Sequence, residues 1–325
     1  MAKNQGKVAG AKSGIVAALP RACQDEAAAV EFFEAMRWGD SGVCCPHCGN
    51  MDVYQMKDRN GNRNARFLWR CKGCNKQFTV RVKSVYEDSP IPLRHWAYGF
   101  WAACASKKGV SSKQIQRMTG LSYKSALFMM HRIRFAMAPT ADVRKLSGTI
   151  EADETYVGGK DKNRHMRDRH HKTGPWDKAT VIAMVERGGE IRSHHIPTVN
   201  MSNVGEIVRA NVKPPESRLM TDDTSVYGTV GPEFAGGHQM VNHRKGEYVR
   251  GDVTTNSIES AFSLLKRGLY GTFHSVSRKH LHRYLSEFDF RFNTRKMDDG
   301  GRTALAIKKA TGKRLTYAKQ IGKAA

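Results

Sequence analysis

Two short knuckles, Cys45-Pro-His-Cys48 and Cys71-Lys-Gly-Cys74, restrict this chain more than any other stretch. Each CxxC turn points two sulfurs the same way, and two such turns about twenty residues apart complete a tetrahedron around one Zn²⁺. Cys44 competes with Cys45, but only Cys45 stands three positions before Cys48. Between the knuckles, Val53–Met56 and Phe67–Arg70 read as a hairpin, with Phe78–Val80 as a third strand. The expectation is a zinc ribbon ligated by Cys45, Cys48, Cys71 and Cys74. Four thiolates leave no open coordination position, so this zinc is structural and not catalytic. Thiols clustered this way also favour a reducing compartment over a disulfide framework.

Charge narrows the partner. The chain has 325 residues, with 54 Lys and Arg against 30 Asp and Glu, for a net +24. That excess calls for a polyanion, nucleic acid before a membrane surface, because no basic helix has a strongly apolar opposite face. No apolar run approaches the roughly 20 residues that span a bilayer. Residues 1–18 lack the apolar core of a secretory signal, so the expected location is cytoplasmic.

Taken in order, residues 1–22 are Ala/Gly/Lys-rich and read as a disordered basic terminus. Residues 23–88 hold a helix over Asp25–Trp38 and the ribbon. Residues 89–140 are helical. There a short helix, a turn at Gly120 and a basic helix over Tyr123–Met137 form a helix-turn-helix pattern. In it Ser122, Tyr123, Lys124 and Ser125 would open a recognition helix, and Lys124, Arg132 and Arg134 would contact DNA. A plain three-helix bundle fits the same residues.

From about 145 to 296 the pattern becomes strand-rich. Gly148–Val157 alternates, the polar loop Lys160–Lys178 follows, and Ala179–Val185 is almost wholly apolar. Glu190–Ile196 follows a Gly188-Gly189 turn. A helix over Asn203–Val212 stops at Pro214-Pro215, and Arg218–Asp222 and Gln239–Asn242 are short strands. Helices over Asn256–Arg267 and Ser277–Asn293 close the region. The order of three strands, helix, strand, short helix, strand and helix matches a ribonuclease-H-like mixed sheet. Residues 297–325 read as a basic tail.

Three acids stand at element ends: Asp153 on the first strand, Asp222 closing the fourth, and Glu259 on the helix after the fifth. In that order the first and fourth strands are neighbours, so Asp153 and Asp222 would adjoin, with Glu259 across from them. Hard oxygen ligands of this kind suit Mg²⁺ or Mn²⁺. A pair of such ions can activate an attacking hydroxyl and stabilise the leaving oxygen. Glu151 and Glu154 flank Asp153 and are read onto the opposite strand face, which favours Asp153. Asp222 is preferred to Asp223 because it directly follows the apolar strand. Asn256 is a rival to Glu259. Lys266, two turns beyond Glu259, would hold a DNA phosphate beside the acids.

The segments RWGDSGVCCPHCGN, WRCKGCNKQFTV, IEADETYVGGKDKNRH, LMTDDTSVY and NSIESAFSLLKRGLYGTFHSVSRKHLHRYLSEFDFRFNTR carry a specific likeness. They span most of residues 37–295 and resemble the DDE transposases of bacterial insertion sequences, of the ISXO type with an N-terminal zinc ribbon. The resemblance puts the family's acids on Asp153, Asp222 and Glu259 and its basic residue on Lys266. It implies an enzyme that binds the terminal inverted repeats of its element, cleaves their ends with Mg²⁺ and joins the 3′-hydroxyls to target DNA. It would act near the bacterial nucleoid as a dimer or larger assembly on paired ends. Lys160, Lys162, Arg164, Arg167, Lys266 and Arg267 are the further DNA contacts expected. A zinc-ribbon regulator with a decayed core, or a nuclease that cuts without joining, are the competing readings.

Overall fold

The structure is a computed structural model and describes residues 14–140, 143–159, 165–168 and 178–321. The chain divides into two compact units. The first contains residues up to Ser106, then Ser112–Ala136, then everything from Met297 onward. The second contains Lys107–Ser111 and Met137–Lys296.

In the first unit, α1 (Gly14–Gln24) and α2 (Glu26–Trp38) precede a three-stranded antiparallel sheet. Its strands are β1 (Val53–Gln55), β2 (Trp69–Cys71) and β3 (Gln77–Phe78), in that order. Asp25 caps α2 by accepting from the amide of Ala28 at 2.8 Å, which satisfies an otherwise orphaned donor. α2 then grips the ribbon. Glu34 accepts from the Trp69 indole at 2.8 Å, and Arg37 donates to the carbonyls of Val80 and Val82, each at 2.6 Å. Glu26 accepts from the amides of Leu93 and Arg94, capping α3 (Leu93–Ala105) from a distant part of the chain. Phe33, Tyr86, Trp96 and Phe100 are buried, and their rings meet edge-on or tilted, with centroids 5.2–6.5 Å apart.

Two expectations fail in this unit. Residues 14–22, expected to be disordered, lie in α1, because Leu19 and Ala22 bury against the neighbouring helices. The expected basic tail folds as well. It forms α9 (Asp299–Lys308), with Thr303, Ala306 and Ile307 buried, and α10 (Tyr317–Ile321). Its lysines hid an apolar helix face. α4 (Ser112–Thr119) and α5 (Tyr123–Met137) are joined at Gly120, whose φ of +71° suits a residue without Cβ.

The second unit is built on a five-stranded mixed sheet. β4 (Leu146–Val157), β5 (Ala179–Glu186) and β6 (Ile191–Ile196) form an antiparallel meander. α6 (Met201–Asn211) crosses over to β7 (Val212–Asp222), which pairs parallel to β4, and β8 (His238–Val241) pairs parallel to β7. The order is therefore β6-β5-β4-β7-β8, with β4 central. A small ribbon, β9 (Val249–Arg250) with β10 (Val253–Thr254), leads into α7 (Asn256–Gly268), and α8 (Arg278–Asn293) follows.

Strand alternation sorts the core into two layers. Val181, Ala183 and Val185 pack against Ile258, Phe262 and Leu265 of α7 and Leu281, Leu285 and Phe288 of α8. On the other face Ile150, Ala152, Ile182 and Met184 meet Val204 and Val208 of α6. Full burial of each large aliphatic or aromatic side chain contributes about 1.5–3 kcal/mol, so both layers hold the sheet firmly.

α7 and α8 come close at Gly268. A Cβ there would drive into the Phe288 ring and stand 3.0 Å from the carbonyl oxygen of Lys108. Gly268→Ala should therefore destabilise the protein by roughly 1–3 kcal/mol through overpacking. Urea unfolding checks this, and an unchanged midpoint would contradict the packing described.

Candidate functional site

The zinc-binding residues come from two turns of the ribbon. Sγ atoms of Cys45 and Cys74 lie 3.6 Å apart, as do those of Cys48 and Cys71, and all four fall within 4.8 Å of one another. With Zn–S bonds of about 2.3 Å a tetrahedron has edges of about 3.8 Å, so the thiols stand close to the spacing zinc requires. Cys44 lies outside the group. Cys48→Ser should abolish zinc binding, read as zinc content per chain, and release amide-exchange protection across Cys45–Phe78. A variant that keeps full protection without zinc would show that the ribbon folds without its metal.

The second cluster sits where β7 ends beside the inner part of β4. The parallel register sets Ile150 beside Leu219 and Glu151 beside Met220. The same offset, continued two residues, sets Asp153 beside Asp222. The carboxylates of Asp153, Asp222 and Glu154 lie within 4.8 Å of one another. Asp153 is mostly removed from water, and burial first, then the charge of Asp222, pushes its carboxyl up to about 7. Burial likewise pushes Glu154 up to about 7.

Glu154 corrects the sequence reading. Alternation does turn it away from the Asp153 face, but Asp222 is the last residue of β7, and at a sheet's end a carboxylate is reachable from both sides. Glu154 is also set against the hydroxyl of Tyr227, a fully buried side chain. Burial, then the Glu154 charge, pushes that hydroxyl well above its ordinary value. The adjacent Asp-Glu pair was visible in the sequence; nothing there marked Tyr227.

Glu151 is a second correction. Two residues before Asp153 on β4, it shares that residue's face and not the opposite one expected of it, and it does something else there. It is fully buried. Its Oε1 accepts from Arg187 Nε and Ser257 Oγ, each at 2.9 Å, and its Oε2 accepts from the amides of Ser257 at 2.8 Å and Ile258 at 3.2 Å. The carboxylate thus caps α7 from a neighbouring strand, where the positive end of the helix favours it. Arg187 donates onward to the carbonyls of Asp252 at 2.9 Å and Thr254 at 3.2 Å. Glu151→Gln should cost roughly 2–4 kcal/mol by turning an amide toward these donors and leaving Arg187 uncompensated. In urea unfolding, Arg187→Met in the same chain should recover part of that loss. A fully stable Glu151→Gln variant would refute the clamp.

The clamp places α7 along a cavity of 730 Å³ whose walls include Asp153, Glu154, Glu259, Lys266, Arg267 and Tyr270. Glu259 stands outside the tight group of three carboxylates. Its Oε1 accepts from Thr255 Oγ1 at 2.9 Å and lies 3.4 Å from His243 Nε2, while Tyr248 lies over the His243 ring at 5.0 Å. Asp223 turns elsewhere and accepts from Asn242 at 2.7 Å. Asn256 is exposed and is not part of the cavity wall.

The expected DNA contacts divide. Lys124 is exposed, Lys266 and Arg267 face the cavity, and Arg167 is exposed in a short turn. Lys160, Lys162 and Arg164 lie outside the described residues. Arg134 is fully buried and cannot reach DNA, because it occupies the inward stripe of α5 with Met130 and Ile133. Arg132 is turned inward too, donating to the carbonyls of Val85 at 3.3 Å and Glu87 at 3.0 Å.

Comparison with known proteins places this architecture. Residues 145–293 match the ISXO2-like transposase domain, and residues 24–77 match the transposase zinc-ribbon domain. The chain is a transposase-family protein. It belongs to the ISXO-type insertion-sequence transposases that carry a zinc ribbon ahead of the transposase domain. A relative from Halobacterium salinarum, described as an uncharacterized protein in transposable element ISH50, is 29% identical over 277 residues. The match covers 82% of this chain and 90% of that protein. A chain of the simian T-cell lymphotropic virus intasome, solved in complex with PP2A regulatory subunit B56 gamma, matches 59% of this chain at 13% identity. This chain spans 64% of that one, and the TM-score of 0.28 gives the likeness no weight.

Proposed function

We propose that this transposase cuts and rejoins DNA at the ends of its own insertion sequence, using divalent metal held by Asp153 and Asp222 with Glu259 opposite. The single observation that carries this reading is the approach of Asp222 to Asp153 on adjacent parallel strands, with Asp153 on the wall of a cavity shared by Glu259 and Lys266. The strand order, with its central parallel pair, supports a ribonuclease-H-like core of the DDE type.

The donor set fits Mg²⁺ or Mn²⁺. The ligands are hard carboxylate oxygens, and burial first, with the neighbouring acid charges behind it, pushes Asp153 and Glu154 up to about 7. Glu154 is a further ligand available to the same centre. Held by these carboxylates, such an ion would supply Lewis acidity toward a phosphodiester and would lower the pKa of an attacking oxygen. Lys266 lies two turns beyond Glu259 and holds the strand by a phosphate, and Arg267 adds charge at the cavity's edge. In the first transfer water attacks the phosphodiester and a 3′-hydroxyl leaves. In the second that hydroxyl attacks a target phosphodiester and displaces another 3′-oxygen.

End recognition falls to the first unit. α4 and α5 are the helix-turn-helix, with exposed Lys124 at the start of the recognition helix, and the zinc ribbon contributes a second surface. The net charge of +24 supports DNA as the partner, with a dimer or larger assembly holding paired ends in the cytoplasm. Among the described residues no helix is long and apolar enough to cross a membrane.

Asp153→Asn should lower Mg²⁺-dependent cleavage of inverted-repeat DNA by at least about 100-fold while end binding changes little. Assays of nicking and of strand joining on the same substrate check this. Cleavage at the wild-type rate would overturn the assignment, and cutting without joining by the parent protein would identify a nuclease.

A further inference from the structure

The helix that carries Glu259 and Lys266 continues its chemistry one step further. Glu259, Ser263, Lys266 and Tyr270 follow at spacings of four, three and four residues, the spacing of one helical face. All four line the same cavity. From acid to aromatic the stripe runs about 16 Å, and from Lys266 to Tyr270 about 6 Å, close to two base steps of a DNA strand.

Tyr270 does not continue the regular helix. It lies in a π-helical turn, Leu269–Phe273, directly after α7, and such widened turns are frequent at functional sites. Although the preceding Leu269 is buried, Tyr270 keeps 47% of its surface exposed. Its hydroxyl donates to the carbonyl oxygen of Gly158 at 3.3 Å, just past the end of β4, which fixes the ring's direction. The next residue is Gly271, and a Cβ built there would meet nothing within 4 Å. An oriented aromatic face therefore stands beside open space. The cavity, at 730 Å³, is far larger than a pair of hydrated ions requires and falls within the range of sites that enclose an organic group.

We propose that Tyr270 is a stacking platform for an unpaired nucleobase of a DNA strand laid along α7, with its phosphate at Lys266. This rests on the reading of the cavity as the strand-transfer site and adds the group that reads the base beside the phosphate. The base has two possible sources, the frayed end of the element or an unstacked position in the target duplex. Stacking suits both, because every base offers a π face.

The test uses the full zinc-loaded chain with Ca²⁺ in place of Mg²⁺, and fluorescence anisotropy to follow binding. The probes are a short DNA duplex with a 3′ single-stranded overhang, a duplex with one internal unpaired base, and the same two DNAs with an abasic residue at the unpaired position. Wild type should bind at least one intact probe roughly 5- to 150-fold more tightly than its abasic form. Preference in the overhang arm assigns the base to the element's end, and preference in the internal arm assigns it to the target. Tyr270→Ala should erase the preference, while Tyr270→Phe, which lacks the hydroxyl but keeps the ring, should retain it. Tyr270→Phe also separates lost stacking from lost folding. The proposal is overturned if wild type prefers neither intact probe, or if Tyr270→Ala prefers it as strongly as wild type. Asp153→Asn separates this from the reading beneath it. That variant should keep the base preference and lose cleavage, and if it cleaves normally the active-site assignment fails whatever Tyr270 does.

Discussion

The parallel pairing of β4 with β7 is the constraint on which the rest of the second unit depends. Parallel neighbours need a crossover, and α6 supplies it, burying Val204 and Val208 on one sheet face. With the offset set by Ile150–Leu219 and Glu151–Met220, Asp222 at the end of β7 meets Asp153 within β4. A slip of one residue would send Asp222 to the other side of the sheet and separate the pair. The hydrophobic layers hold that register, because Ile150 and Leu219 lie fully buried in the same layer.

The sheet alone would place two acids and leave the third side of the cavity undefined. Glu151 closes that gap. It stands two residues before Asp153 and holds the first turn of α7, so the strand bearing one acid and the helix bearing Glu259 are joined by a short, buried, charge-assisted contact. Acids in this unit therefore play opposite electrostatic parts. Glu151 is compensated by Arg187 and by helix amides, while Asp153, Glu154 and Asp222 face one another. The first arrangement stabilises the fold. The second raises the free energy of the metal-free carboxylates and favours whatever cation enters.

Much of this could be read from residues alone, and what could not has physical causes. The four thiols were legible because a CxxC turn is local, and the spacing of two such turns says nearly everything about the site. Asp222 was legible because it closes an apolar, strand-forming run, and Asp153 because it stands on the first strand of an element order that makes that strand the neighbour of Asp222's. Arg134 was misread because a basic residue on a helix looks solvent-facing unless its stripe partners, Met130 and Ile133, are counted with it. Glu151 was put on the wrong face, because residues two apart on a strand share one. Glu154 was turned the right way, but its carboxylate still reaches Asp222 at the end of β7. The clamp by Glu151 depends on Ser257 and Ile258, more than a hundred residues away, and no local pattern reports such a contact. The helix at Asp299–Lys308 was obscured by flanking lysines, though Thr303, Ala306 and Ile307 already mark its inward face.

That last helix has a consequence for how the molecule is made. α9 packs among α1, α2 and α3, so the ribbon-bearing unit is assembled from three separate stretches of sequence. The transposase unit is nearly continuous in sequence. Its partner cannot bury Ala306 and Ile307 until α9 reaches helices formed far earlier in the chain. A change that unfolds α9 would thus leave the acids of the second unit in place beside an unfinished ribbon-bearing unit.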